Sequence, residues 1–175
     1  MKIYNTIYIS LLSICVLTLS ACSSLNSAVG GLFGADTDLT LTFNVESDIN
    51  PDENKVPSPL FIRMYQLKST KLFEKANFID LYENSKEVLG ADFVDMQKLK
   101  RLKPGENREN NFVLDEKTRF VGLYAEFLNY KNSRYKLVIP VVQHDVIGTS
   151  VNIKVSGTKL INADKDEKDD KVASN

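Results

Sequence analysis

Leu39-Thr40-Leu41-Thr42-Phe43-Asn44-Val45 alternates apolar and polar side chains with a period of two. Such a stretch has one dry face and one wet face, the pattern of a half-buried β-strand. The alternation returns in Phe120 to Leu128, with Val121, Leu123, Ala125 and Phe127 inward. It returns again from Thr149 to Leu160, through Val151, Ile153 and Val155. Between these lie shorter strand patterns: Leu60 to Leu67, Phe93 to Leu102, Asn110 to Leu114 and Tyr135 to Val142. In the first of them Leu60, Ile62 and Met64 share one side, and Phe61, Arg63 and Tyr65 the other.

Only one segment breaks the period. From Lys71 to Leu89 the apolar residues Leu72, Phe73, Ala76, Ile79, Leu81, Tyr82 and Val88 fall at helical intervals. Ser69 or Thr70 is placed to cap that insert, Gly90 to stop it, and Asn77 and Ser85 to divide it. Lys103-Pro104-Gly105-Glu106 and Asn129 to Ser133 read as turns. About seven short strands with one helical insert predict an all-β fold, a two-sheet antiparallel β-sandwich.

The composition narrows the function. A chain of 175 residues suits one domain with appendages. Its 22 Lys and Arg against 23 Asp and Glu leave a net charge of −1, which argues against a nucleic-acid binder. One His and two Cys cannot build a Cys/His zinc site. A single long apolar stretch excludes a multi-span membrane protein.

That stretch is the N-terminus, Met1 to Cys22. Lys2 supplies a positive start, Ile7 to Leu19 an apolar centre, and Ser20-Ala21 the small residues of a cleavage site. Leu19-Ser20-Ala21-Cys22 resembles a bacterial lipobox, which implies a diacylglycerol on the Cys22 sulfur and cleavage before it. Ser23 is compatible with export to the outer membrane. The expected organisation is residues 1–21 as leader, 22–36 as lipidated Cys and Gly/Ser/Ala-rich tether, 37–162 as the domain, and 163–175 as a charged tail that cannot bury enough surface to order. With Cys15 removed and Cys22 acylated, the mature chain has no disulfide and is stabilised by its core alone.

Chemistry-bearing motifs are sparse. His144-Asp145 has the residue types of a base and its orienter, but no nucleophile motif accompanies it. Asn50-Pro51-Asp52-Glu53-Asn54 has calcium-loop composition yet lacks the glycine and the distal bidentate glutamate. No catalytic residue, metal ligand or cofactor is assigned, apart from covalent lipid on Cys22. Lys98-Leu99-Lys100-Arg101-Leu102-Lys103 reads as an edge strand guarded by lysines, with contact to anionic lipid or an acidic partner as the alternative.

Several segments in order resemble the outer-membrane lipoprotein of type VI secretion systems, the TssJ family. They are the Cys22 lipobox, Asn50-Pro51-Asp52, Pro57-Ser58-Pro59-Leu60-Phe61-Ile62-Arg63-Met64-Tyr65-Gln66-Leu67-Lys68, Phe78-Ile79-Asp80-Leu81-Tyr82, Val88-Leu89-Gly90-Ala91-Asp92 and Leu102-Lys103-Pro104-Gly105-Glu106. One feature departs: the family's aromatic-Arg pair, often Trp-Arg, is replaced by Ser133-Arg134-Tyr135 after Ala125-Glu126-Phe127. The resemblance implies a transthyretin-like sandwich facing the periplasm from the outer membrane. It implies docking onto the periplasmic domain of the inner-membrane protein TssM, in a complex with TssL. The family's contact loop joins the first two strands, here about Ser47 to Pro59. The expected contact residues are Asp48, Ile49, Asn50, Pro51, Asp52, Glu53, Asn54, Lys55 and Val56, with charged rim groups around Ile49 and Val56 as apolar anchors. The alternative is a periplasmic ligand-binding module or enzyme on the same sandwich. A transiently acting assembly lipoprotein is a third option.

Overall fold

The computed structural model describes residues 37–142 and 148–165. Strand β1 (Thr37–Val45) is the alternating stretch, and its apolar set is buried as the pattern requires, Leu39, Leu41 and Phe43 being wholly inaccessible. The remaining strands are β2 (Ile62–Leu67), β3 (Phe93–Lys98), β4 (Asn107–Leu114), β5 (Phe120–Ala125), β6 (Lys136–Pro140), β7 (Thr149–Ser156) and β8 (Lys159–Asn162). They form two four-stranded sheets, ordered β4-β1-β7-β8 and β3-β2-β5-β6. The two-sheet sandwich stands. The long Thr149 to Leu160 pattern is two strands, because Gly157, at φ +52°, turns the chain back as a hairpin. The pairing is antiparallel except for β1 and β7, which run parallel with Leu41 opposite Val151 and Phe43 opposite Ile153.

Between the sheets lies one apolar core of β1, β7 and β8 residues against Ile62, Met64, Val121, Leu123, Ala125, Leu137 and Ile139. Strand β2 is covered on both of the sides that the sequence pattern separates. All six of its residues are buried, so the side bearing Arg63 and Tyr65 does not face water. A third layer covers it: helix α1 (Lys71–Lys75) and helix α2 (Phe78–Leu89). Tyr65, Leu67 and Tyr124 of the sheet pack there against Phe73, Ala76, Phe78, Leu81 and Leu89. Gly122 admits this contact, since a Cβ on it would stand 2.8 Å from the Phe73 ring.

The insert divides at Asn77, which begins α2 through a reciprocal capping box with Asp80. A second break falls at Asn84 (φ −132°, ψ 37°), one residue before Ser85. Just ahead of it the Leu81 and Tyr82 carbonyls find donors in the sheet. Arg63 Nη1 donates to both, at 3.3 and 2.9 Å, and the Tyr65 hydroxyl donates to Leu81 at 3.2 Å. Arg63 Nε also donates to Glu126 Oε1 at 2.6 Å. A buried guanidinium is tolerable because its donors meet an opposite charge and backbone oxygens.

The Tyr124 hydroxyl donates to the Phe78 carbonyl at 3.1 Å. Burial holds it well above the ordinary tyrosine value near 10, offset in part by Arg63. A raised folded-state pKa contributes stability in full below the unfolded value, and loses it as pH climbs further. Stability is therefore expected to fall above about pH 10. Lys136, whose pKa burial lowers, acts in the opposite sense just below its ordinary value. Comparing wild type with Tyr124→Phe in urea melts across that range isolates the tyrosine: the variant should show the shallower decline, and parallel curves would contradict the assignment.

Candidate docking surface

The loop from Glu46 to Pro59 lies at the end of the sandwich where β1 finishes, opposite the end where Thr37 pairs with Leu114. Its shape is set by its own hydrogen bonds. The Asp52 carboxylate accepts from the amides of Asn54 and Val56, each at 2.9 Å. The Asp52 amide donates to the Val56 carbonyl and the Lys55 amide to the Asp52 carbonyl, at 3.0 and 2.9 Å. Lys55 takes φ +63° to close this turn. An aspartate that hydrogen-bonds the backbone two residues on is a turn-forming device. Prolines 51, 57 and 59 restrict the remainder.

The structure sorts the expected contact residues into two groups. Glu53, Asn54, Lys55 and Val56 project into solvent, Val56 at 55% exposure. Pro51, Asp52, Glu53 and Lys55 line a surface groove of about 580 Å³ together with Leu128 and Asn129. Ile49 is corrected: it is fully buried in the main core and cannot anchor a partner. A lone apolar residue among polar ones has no period by which its direction can be read.

Asn50 is corrected as well. It is 2% exposed, at φ +46°, and it ties three segments together. Its amide donates to the Gly157 carbonyl at 2.7 Å, its Nδ2 to the Pro59 carbonyl at 3.1 Å, and its Oδ1 accepts from the Leu128 amide at 2.8 Å. Asp48 accepts from the Gly157 amide at 3.2 Å. Asp48 and Asp52 thus shape the loop through backbone contacts. Replacing residues 48–56 wholesale by a Gly/Ser linker would remove a core residue and this tie, so point changes at exposed positions make the cleaner test.

Leu128, 59% exposed, is the groove residue that the sequence pattern hid, because it reads as the last residue of a strand. β5 ends at Ala125, and Leu128 stands on the following loop. The basic run is likewise no strand beyond Lys98. Leu99 and Leu102 turn into the core, and Leu102 bridges Leu60. Cys22, His144 and Asp145 lie outside the described residues. The charged tail begins in order: 163–165 are helical, and Asp164 accepts from the Asn152 backbone amide and side chain at 2.9 and 2.8 Å.

None of the curated proteins matches the chain in sequence. Solved structures do. TssJ1, the type VI secretion lipoprotein of Pseudomonas aeruginosa, is 25% identical with a TM-score of 0.67, covering 72% of this chain and 94% of its own. A chain of a structure described as a type VI membrane complex is 26% identical with a TM-score of 0.63, covering 73% and 98%. A chain of a structure described as the type VI secretion protein TssM C-terminal domain (869–1107) from EAEC is 25% identical with a TM-score of 0.60, covering 71% and 96%. The family model described as type VI secretion lipoprotein (VasD, EvfM, TssJ) matches residues 37–158, from the first residue of β1 to the β7–β8 turn. The chain belongs to that family of type VI secretion lipoproteins.

Proposed function

We propose that this lipoprotein is anchored in the outer membrane through acylated Cys22, faces the periplasm, and docks onto the periplasmic domain of TssM within the complex that also contains TssL. The observation that carries the docking is the self-bonded turn Asp52–Val56 beside exposed Leu128, across a groove of about 580 Å³. A loop already held in one conformation loses little entropy on binding, so its contacts convert more fully to affinity. Exposed Leu128 shares the groove with Glu53 and Lys55, and exposed Val56 stands on the same turn, which supplies the apolar and charged groups of a protein interface. The family match and the likeness to chains of type VI structures support this reading. It asks for no cofactor beyond the lipid.

The test joins Val56→Asp with Leu128→Asp. Both positions are exposed, so folding should change little, whereas a carboxylate at an apolar contact should weaken TssM-domain binding by about a hundredfold. Titration calorimetry reads the affinity, and unchanged binding would remove the loop from the interface. Cys22→Ser should release the chain from the membrane fraction.

A further inference from the structure

Segment Glu126–Leu128 contributes to two hollows, Leu128 to one and Glu126 to the other. One is the loop groove. The other, about 200 Å³, is lined by Phe61, Ile62, Arg63, Tyr82, Lys98 and Glu126. Phe61 and Tyr82 are 52% and 49% exposed, large aromatic surfaces that folding alone leaves in water. The floor is fixed: Arg63, 8% exposed, is held by Glu126 and by two helix carbonyls. Glu126 is thereby neutralised, and the charge left at the hollow is basic. Lys98 stands on the rim, the Arg101 guanidinium lies 5.9 Å from the centre of the Phe61 ring, and Lys100 and Lys103 are exposed on the same connection. Glu106, which follows this connection, is engaged by Arg108 and the Lys103 amide.

We propose that this hollow is a second contact point of the docking surface and takes an acidic segment of the partner, a glutamate whose aliphatic stem lies between Phe61 and Tyr82 and whose carboxylate meets Lys98 and Arg101. The inference rests on the docking function proposed above and gives its partner a chemistry. Two features argue for this occupant. Glu126 lines the hollow and Leu128, two residues on, lines the loop groove, so one partner can reach both. The balance of charge also differs in sign along that span, with Asp48, Asp52 and Glu53 against Lys55 at the loop, and Lys98, Lys100, Arg101 and Lys103 at the hollow. A partner with matching opposite signs is held in one orientation, and encounter is accelerated at low salt.

The experiment measures TssM periplasmic-domain binding by the mature full-length chain carrying Cys22→Ser, at low and high salt. Lys98→Glu with Arg101→Glu, both exposed, should weaken binding about tenfold at low salt and flatten the salt dependence. Tyr82→Ala should weaken it similarly at both salt concentrations. Unchanged affinity and salt slope in these variants, while Val56→Asp with Leu128→Asp abolishes binding, would overturn the second contact and leave the docking function standing. If the wild type does not bind the TssM domain, the docking function falls. The hollow is then decided by amide NMR shifts with a synthetic peptide of alternating glutamate and leucine. Shifts at Phe61, Tyr82 and Lys98, absent with a lysine-leucine peptide, support it, and their absence overturns it.

Discussion

Asn50→Ala is expected to destabilise the domain by about 2–4 kcal/mol and to abolish partner binding with it. The substitution leaves the Leu128 amide and the Pro59 carbonyl without their side-chain partner, in a place where Asn50 is almost wholly enclosed. Each buried polar group so orphaned costs about 1–3 kcal/mol. Alanine also accepts φ +46° less readily than asparagine, which is enriched in that region. Two further variants separate these contributions. Asn50→Gly restores backbone freedom and should recover only part of the loss. Asn50→Asp keeps an acceptor for Leu128 but sets an anionic oxygen against the Pro59 carbonyl, so it should remain close to alanine in effect. Urea midpoints read the stability and calorimetry the binding. A variant at wild-type stability with intact binding would show that the three segments hold together without this side chain.

The second large effect belongs to the helical layer. Phe78→Ala should cost about 3–5 kcal/mol, the usual penalty for emptying a buried aromatic site. Phe78 is the hub of the outer cluster. Its ring stacks on Tyr130 at 4.2 Å, meets Tyr135 edge-on at 5.2 Å, and touches Tyr124 at 5.1 Å. Its loss frees the start of α2, and with it Tyr82, whose carbonyl is gripped by Arg63. Ile79→Ala on the next residue, 42% exposed, is the control and should stay within about 0.5 kcal/mol. Equal urea midpoints for the two variants would show that α2 is held by its caps and backbone contacts rather than by this ring.

The parts of the fold legible in sequence are those with a single wet face. β1 and β7 each put one set of side chains in the core and the other in water, so alternation marked both. β2 was half legible. Alternation separated its two sides, but nothing local announces that the side bearing Arg63 and Tyr65 is covered; its burial depends on α2, whose Leu81 is 18 positions from Arg63, and on Glu126, 63 positions distant. The parallel pairing of β1 with β7 is non-local in the same way. At the candidate docking surface, the family resemblance pointed to the loop, and prolines marked it as irregular. Chemistry alone did not reveal that Ile49 and Asn50 belong to the interior, or that Leu128 joins from another loop. Those facts are consequences of three chain segments meeting at one end of the sandwich.

Strand β1 has a mechanical consequence. Its nine residues span about 30 Å, at roughly 3.3 Å each, from the point where the N-terminal segment enters to the point where the docking loop leaves. In the arrangement proposed above, with lipid toward one extremity and a bound partner at the other, tension between them would travel along this one covalent thread. β4 and β7 flank it on both sides, so their hydrogen bonds lie crosswise to the pull and share the load together instead of parting one after another. The rest of the sandwich then serves as a sheath, and traction between membrane and partner need not unfold it.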